Sequence, residues 1–335
     1  MKSVLLIRLS SLGDVVLTTP VAANLSRAGA RVAVLTRRAF APVFDGNPTV
    51  DELLIFEDRG LWGWLREIRA RRFDAVVDLH GTFRSRLWSA FSGAPRRVRY
   101  DKRAAARRRL VWTKKTSPAL AGNVVDRYLE TLDRLGVPSG ERSPRLYVAR
   151  EERPAPEAES LLGAGPLLVV APGAQHATKR WPAERFAAAA ERWIAQHPGT
   201  RVALLGAPSD APAGAAVRAV FPGAVVDLVG KTSLRDMIRI LHRAALVLSN
   251  DSGAMHVAAA LGRPTVAVFG PTVRDFGFFP VGARAVAVEG GPLPCRPCAL
   301  HGRSLCPEGH FRCMADVTVD RVLEAAAAVT DGMST

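Results

Sequence analysis

LVLSNDSGAMHVAAALGRPTVAVF, residues 246–269, runs from a short apolar strand (Leu246–Leu248) through a polar turn into an Ala-rich helix (Ala254–Leu261). It then returns to a second apolar strand, Thr265–Phe269. Both strands are continuous apolar runs without polar alternation, the pattern of strands covered on both faces. A strand, a helix and another such strand imply a parallel sheet layered between helices.

The same alternation extends in both directions. Before it come Leu167–Ala171, helix Ala183–Gln196, Val202–Leu205, Val225–Leu228 and helix Leu234–Arg243. The N-terminal part repeats the scheme with Val4–Leu9, Val32–Leu35, Leu53–Phe56 and Ala75–Leu79 as strands. Val15–Leu25 and Leu61–Ala70 carry helical spacing. In the second of these, Leu61, Trp62, Trp64, Leu65 and Ile68 fit a core stripe better than a membrane-dipping face. Between the two series, Glu151–Gly165 carries Pro154 and Pro156 and reads as a linker or capping segment. A chain of 335 residues is too long for one ordinary core. The expected fold class is therefore α/β, with two Rossmann-like doubly wound domains facing a central cleft. Their expected spans are 1–155 and 166–335, the second including a Cys-containing tail segment, 290–315. In such sheets ligands lie beyond the carboxyl ends of the strands, so the loops that follow strands carry the argument.

The hydrophobic fraction of 48% is that of a globular protein. No apolar run reaches the roughly 18 to 20 residues that a membrane span needs, and the first strand runs straight into Arg8. A cytoplasmic location is expected. The formal charge is +15, from 46 basic and 31 acidic side chains. Much of the excess lies between Arg96 and Lys115, where ten Lys and Arg residues are opposed only by Asp101. Such a run is either a solvated basic face or a landing site for an anionic partner. A nucleic-acid-binding protein is the non-enzymatic alternative, but the run has no recognition motif and little aromatic interleaving.

Several loops carry residues suited to chemistry. The first strand ends in Arg8-Leu9-Ser10-Ser11-Leu12-Gly13-Asp14. Asp14 there is either a helix-capping acid or a base facing the ligand. This loop lacks G-x-G-x-x-G, which argues against a nicotinamide enzyme. Gly230-Lys231-Thr232 is not a P-loop, because Val225 stands where that motif needs glycine. In the second half, Lys179 precedes a helix whose start is marked by Pro182, where a cation reaches a phosphate facing the helix N-terminus. Asp251-Ser252-Gly253 opens another helix. Its small residues let the backbone approach a diphosphate, with His256 one turn inside as a further donor.

Taken in order, these stretches resemble glycosyltransferase family 9, the bacterial lipopolysaccharide heptosyltransferases, over nearly the whole chain. The matching pieces are Arg8–Asp14 with Thr19-Pro20, Val77–Ser85, Pro172-Gly173-Ala174 with Lys179–Pro182, Leu228–Leu234 and, most strongly, Ser249–Thr272. The resemblance implies a GT-B fold and inverting transfer of heptose from ADP-L-glycero-D-manno-heptose to the Kdo-lipid A inner core. It places the general base on Asp14 and donor binding on Lys179, Asp251, Ser252, Gly253 and His256. Arg84 and Arg86 are candidates for the anionic acceptor, and the basic segment for peripheral contact with the anionic inner membrane. No cofactor and no nucleic acid are implied. The cysteine-containing tail points towards the heptosyltransferase II branch. One departure concerns the nucleoside: where some relatives carry a Glu after Gly206-Ala207-Pro208, this chain has only Asp210 nearby. A GT-B transferase of another nucleotide sugar in envelope glycan synthesis is the competing enzymatic reading.

All four cysteines fall in the tail as Cys295-x2-Cys298-x7-Cys306-x6-Cys313. A compact cluster opening with C-x-x-C in a reducing compartment suggests a structural zinc, against packed free thiols.

Overall fold

The computed structural model describes residues 1–57 and 59–331; the last four residues of the expected second domain, 332–335, lie outside the described residues. Contacts divide the chain into two units. The first is Met1–Ala104 with Gly122–Tyr147, and the second is Ala105–Ala121 with Val148–Thr335.

The first unit holds five strands: β1 (Ser3–Ile7), β2 (Arg31–Arg37), β3 (Glu52–Phe56), β4 (Ala75–Asp78) and β5 (Arg96–Arg99). They form one parallel sheet in the order β3-β2-β1-β4-β5. Apart from Ser3 and Asp78 at their ends, β1 and β4 are apolar, and both are almost wholly buried, as strands sandwiched between helices must be. β5 closes an edge with the sequence RRVR, three of its residues exposed. Edge arginines discourage pairing with a further strand. They also account for part of the basic run, which hydrophobic patterning alone could not resolve into a strand.

The apolar stretch Val15–Leu25 becomes two helices, Leu12–Val16 and Thr19–Arg27. The break falls just before Pro20, which sits in the first turn of the second helix, where its missing N–H costs nothing. Helix Gly60–Ala70 buries Trp64, Leu65 and Ile68 and leaves Trp62 76% exposed, so its apolar stripe is core. Trp64 and the fully buried Trp88 meet Phe56, with ring centroids 5.6–6.3 Å apart. The Trp88 indole N–H donates to the Leu61 carbonyl at 3.1 Å, so its one polar atom is satisfied.

The second unit contains β6 (Leu167–Ala171), β7 (Arg201–Leu204), β8 (Val225–Asp227), β9 (Leu246–Asn250), β10 (Thr265–Phe269) and β11 (Ala285–Glu289). All are parallel, in the order β11-β10-β9-β6-β7-β8. Trp181, Phe186, Trp193 and Met314 fill the core on one side of this sheet. The expected linker contains a short helix, Pro156–Leu162, begun by a proline in its first turn. Within the expected N-terminal span, Ala105–Ala121 packs with the second unit instead. Its helix (Ala104–Thr113) and following turn bury Leu110 and Leu120 against Phe276. Arg107 and Lys114 donate to the carbonyls of Phe276 and Pro297. A basic segment can join a core this way because only its few apolar side chains need burial. Arg108, Arg109 and Trp112 remain exposed.

Trp88→Ala should lower unfolding stability by roughly 3–5 kcal/mol, the cost of emptying a large buried aromatic site. Trp62→Ala, on the solvent side, should stay within about 0.5 kcal/mol. Chemical denaturation of both variants measures the contrast, and equal losses would contradict the packing described.

Candidate active site at two sheet switch points

In each sheet the strand order reverses once, between β1 and β4 in the first unit and between β6 and β9 in the second. At such a point the neighbouring loops run to opposite faces and leave the carboxyl ends open. The sequence-marked residues fall there in both units.

In the first unit Asp14 lies in the first turn of helix Leu12–Val16, which follows β1, and serves two structural purposes. It is the acidic member of a capping box, with its Oδ2 accepting from the Ser11 N–H at 3.3 Å and Ser11 Oγ at 2.9 Å. The same Oδ2 is 2.6 Å from Arg8 Nη2, in a pair whose side chains are only 9% and 17% exposed. Oδ1 accepts from the Tyr128 hydroxyl at 3.1 Å. A carboxylate oxygen accepts about two hydrogen bonds, so Oδ1 retains a lone pair while Oδ2 is saturated. Burial pushes the Asp14 carboxyl up, but Arg8, Ser11 and Tyr128 together outweigh it and hold Asp14 below its ordinary value. Arg8 is itself fixed by donating to the Leu79 carbonyl at 2.6 Å.

Across the switch point the β4 turn supplies His80, Gly81 and, on the following helix, Arg84 and Arg86. Asp78 shapes this turn by accepting from the N–H groups of His80 and Gly81 and from Ser85 Oγ. Gly81 adopts φ +60°, and a Cβ there would lie 3.2 Å from Lys102 Cε. Burial, with Arg8 and Lys102 nearby, drives His80 down to about 4, so it is neutral near pH 7. Lys102 is also pushed down, by burial and then by Arg8. Arg84 and Arg86 are both exposed, Arg84 with its guanidinium 5.5 Å from the Phe56 ring centroid. The first unit thus holds Asp14 among several cations, beside a second carboxylate, Asp78, that is taken up by its own turn.

In the second unit the residues converge more tightly. Lys179 closes a short turn after β6, and its Nζ is 2.6 Å from Asp251 Oδ2. That oxygen also accepts from Thr272 Oγ1 at 2.7 Å. Asn250, fully buried at the end of β9, ties the two loops together. Its side chain donates to the Pro172 carbonyl at 2.8 Å and accepts from the Trp181 N–H at 3.0 Å. Ser252 is the extended N-cap of helix Gly253–Ala260, and its hydroxyl lies 3.1 Å from that of Ser249. His256 is buried within this helix. The free N–H groups of a first helical turn, with a lysine on the neighbouring loop, have the chemistry that suits an anion. Asp251 Oδ2 is thus engaged from two sides, by Lys179 and by Thr272. Its geometry makes it the holder of Lys179. One hydrogen of the ammonium faces Asp251 and two stay available.

Asp210 sits over Gly173: a Cβ on that glycine would lie 2.1 Å from the Asp210 carboxyl carbon. The Asp210 carboxylate accepts from the Ala207 N–H at 3.0 Å, which places it at the carboxyl edge of β6 and β7. The four cysteines are free thiols, and Cys295 Sγ lies 3.9 Å from His310 Nε2. Among the described residues no three His, Cys, Asp or Glu side chains come together as a metal ion requires. Cys313 instead sits buried in the short helix Arg312–Ala315, as part of the apolar core. The thiols thus present no ligand set for the zinc that their spacing suggested.

Sequence reasoning missed Tyr128, Lys102, Asn250 and Thr272 as parts of these sites. Tyr128 is 114 residues from Asp14 on a helix of ordinary apolar spacing, so no local pattern marks it. Asn250 and Thr272 lie inside the strongest matching stretch, yet their roles depend on which loops the sheet places side by side.

The sequence matches glycosyltransferase family 9 (heptosyltransferase) over residues 62–307. It is 30% identical over 278 residues to lipopolysaccharide heptosyltransferase 2 of Escherichia coli K12, covering 77% of this chain and 75% of that protein. It is 32% identical to lipooligosaccharide heptosyltransferase 2 of Haemophilus influenzae, over 60% of this chain and 61% of that one. The solved E. coli ADP-heptose lipopolysaccharide heptosyltransferase II superposes over the full length of both chains, with a TM-score of 0.78 at 25% identity. A family 9 glycosyltransferase from Veillonella parvula has the same fold, with a TM-score of 0.81 over 99% of this chain and 98% of that one at 24% identity. A family match over most of the chain places it plainly: the chain belongs to glycosyltransferase family 9, the heptosyltransferases, and is a glycosyltransferase of GT-B fold.

Proposed function

We propose that this enzyme transfers heptose from ADP-L-glycero-D-manno-heptose to the Kdo-containing inner core of lipopolysaccharide, with inversion and with Asp14 as general base. The observation that carries the reading is the state of Asp14: an ionised carboxylate at a sheet switch point, with Oδ2 saturated by protein donors and Oδ1 able to accept a proton. The similar E. coli protein is an ADP-heptose lipopolysaccharide heptosyltransferase, which supports the donor and the pathway.

In the proposed step the acceptor hydroxyl oxygen bonds to the anomeric carbon as its proton passes to Asp14 Oδ1. The bond from that carbon to the diphosphate oxygen breaks, and its electron pair leaves with ADP. The sugar passes through oxocarbenium character, so negative charge grows on the leaving diphosphate. Lys179 and the N–H groups at Ser252 and Gly253 would meet that charge, with His256 one turn further in. Fixed donors of this kind stabilise the transition state more than the ground state. Asp251 would act by keeping Lys179 in place. No step is assigned to a metal. Arg84 and Arg86, exposed beside the β4 turn, suit the carboxylates and phosphates of a Kdo-lipid A acceptor. Helix Ala104–Thr113 presents Arg108, Arg109 and Trp112 to solvent, with Trp112 89% exposed, a composition that fits peripheral attachment to an anionic inner leaflet. No helix among the described residues is long and apolar enough to cross a membrane.

Asp14→Asn should reduce turnover of ADP-heptose on Kdo-lipid A acceptors by ~10²–10⁴-fold, the usual worth of a positioned base, while ADP-heptose still binds. Wild-type turnover absent on acceptors with and without a first heptose, despite binding of another nucleotide sugar, would favour a different GT-B transferase.

The pH profile gives a second test. Asp14 sits below its ordinary value, so its active carboxylate form persists to low pH and is lost only as pH falls through that depressed value. Tyr128→Phe removes one of the hydrogen bonds that lower it. The acidic limb of kcat/KM should therefore move to higher pH. An unmoved limb would detach Asp14 from the titration.

Reversal of Arg108 and Arg109 to Glu should weaken partition onto anionic vesicles by at least about tenfold at low salt, and added salt should weaken the wild type similarly. Binding indifferent to both changes would remove the membrane proposal.

A further inference from the structure

The cysteine-bearing segment takes no part in the transfer step proposed above, yet it touches both sides of the Lys179–Asp251 pair. We infer that this segment is a two-point clamp on the diphosphate site, with Thr178 and Arg296 as positioning residues for Lys179 and Asp251. The inference rests on the reading that this pair serves the donor diphosphate.

The first point of the clamp is beside Lys179. Thr178, only 3% exposed, exchanges hydrogen bonds with the backbone of Arg303. The Thr178 N–H donates to the Arg303 carbonyl at 3.1 Å, and the Arg303 N–H donates to Thr178 Oγ1 at 2.8 Å. Thr178 Oγ1 also lies 2.9 Å from that carbonyl, to which its own proton can point. The Arg303 guanidinium turns back to the Cys298 carbonyl, with Nε and Nη2 both 3.3 Å away, which closes the loop 298–303 on itself. Gly302 makes the close approach feasible. It adopts φ +98°, and a Cβ there would lie 2.9 Å from His176 Cβ and 3.3 Å from Lys179 Cγ. A side chain at this position would push against the stem of the lysine.

The second point is beside Asp251. The Arg296 side chain, 8% exposed, donates through Nη2 to the Thr272 carbonyl at 2.8 Å and to the Glu289 carboxylate. Its Nη1 donates to the Gly291 carbonyl at 3.1 Å. Thr272, thus fixed, points its hydroxyl at Asp251. The contacts form a closed circuit: Arg296 holds Thr272, Thr272 holds Asp251, Asp251 holds Lys179, and Thr178, next in sequence to Lys179, is held by Arg303. Both ends of the circuit lie in one segment of eight residues, 296–303.

A lysine side chain has several rotatable bonds, and fixing them before the ligand arrives removes that cost from binding. The circuit supplies this preorganisation, and it gives the otherwise unused tail a role at the donor site. The role is positional. It should appear in donor affinity and not in the acceptor's KM.

The test compares Thr178→Val, Thr178→Ser and Lys179→Ala in the full chain, with ADP affinity measured by calorimetry and both KM values by steady-state turnover. Losing a buried hydrogen-bonding partner should raise the Kd for ADP and the donor KM of Thr178→Val by roughly three- to thirtyfold. The acceptor KM should stay as in the wild type, and Thr178→Ser should restore most of the loss. Wild-type ADP affinity in Thr178→Val together with weakened binding in Lys179→Ala would overturn the clamp while keeping the diphosphate site. Unchanged affinity in both variants would overturn the diphosphate reading and the clamp with it. Should Thr178→Val not fold, Arg296→Lys tests the other end, since Lys keeps the charge and loses the forked reach. A weakened donor with an unchanged acceptor supports the clamp there, and unchanged donor binding overturns it.

Discussion

A sheet whose strands all run the same way must carry each connection back over one face, and where the direction of winding reverses two neighbouring loops part. Each unit of this protein has one such opening. The residues capable of chemistry gather there because it is the place on the sheet where backbone donors and side chains from two loops can converge. In the second unit the opening lies between β6 and β9, and Asn250 spans it with hydrogen bonds to the Pro172 carbonyl and the Trp181 N–H. Fully buried, Asn250 could not be left unpaired without a cost of the order of 1–3 kcal/mol per polar group. The need to satisfy this one side chain thereby sets how the lysine turn meets the helix that follows β9. The Lys179–Asp251 pair depends on that setting.

Buried ion pairs are poor sources of stability, because desolvation offsets much of the attraction. The pairs Arg8–Asp14 and Lys179–Asp251 are both mostly buried, at 2.6 Å each, and each lies at a switch point. Their value lies in what they hold ready. Arg8 keeps a carboxylate ionised where burial alone would favour its neutral form, and Asp251 keeps an ammonium aimed where a flexible side chain would wander. The two pairs are thus opposite uses of the same physics. In the proposed reaction the anion of the first pair is the working group and the cation supports it; in the second the roles are exchanged.

How much of this was legible in the sequence follows from the range of each interaction. The strands β6, β7, β9 and β10 were readable because burial on both faces leaves them with unbroken apolar runs of three to five residues. β5 was not, because its RRVR sequence lies at an edge, where only one neighbour has to be satisfied. The placement of Asp14, Lys179 and the Asp251–His256 turn beyond the carboxyl ends of strands was legible, since each is set by its own strand–loop–helix junction. Tyr128 and the contacts of Thr178 and Arg296 were not, because they join elements more than twenty residues apart in the chain. The cysteines were legible as a cluster along the chain but not in their packing. Their spacing resembles a ligand set, but Cys313 answers to the core while the loop that carries Cys298 answers to Thr178 and Lys179.

A base whose carboxyl is held below its ordinary value is, on its face, a weak one. The proposed reaction tolerates this. As the acceptor oxygen bonds to an electron-poor anomeric carbon, its own proton becomes strongly acidic, so transfer is downhill late in the step even to a poor acceptor. A stronger base would gain little there and would spend part of its time protonated near neutral pH. Arg8 therefore trades basicity that the chemistry does not need for a carboxylate that is always charged. Tyr128 fixes Oδ1 without saturating it and so supplies the direction that proton transfer requires. Burial, the arginine and the phenol act on Asp14 in different senses, and their sum is a carboxylate that is ionised, aimed and only as basic as a late proton transfer needs.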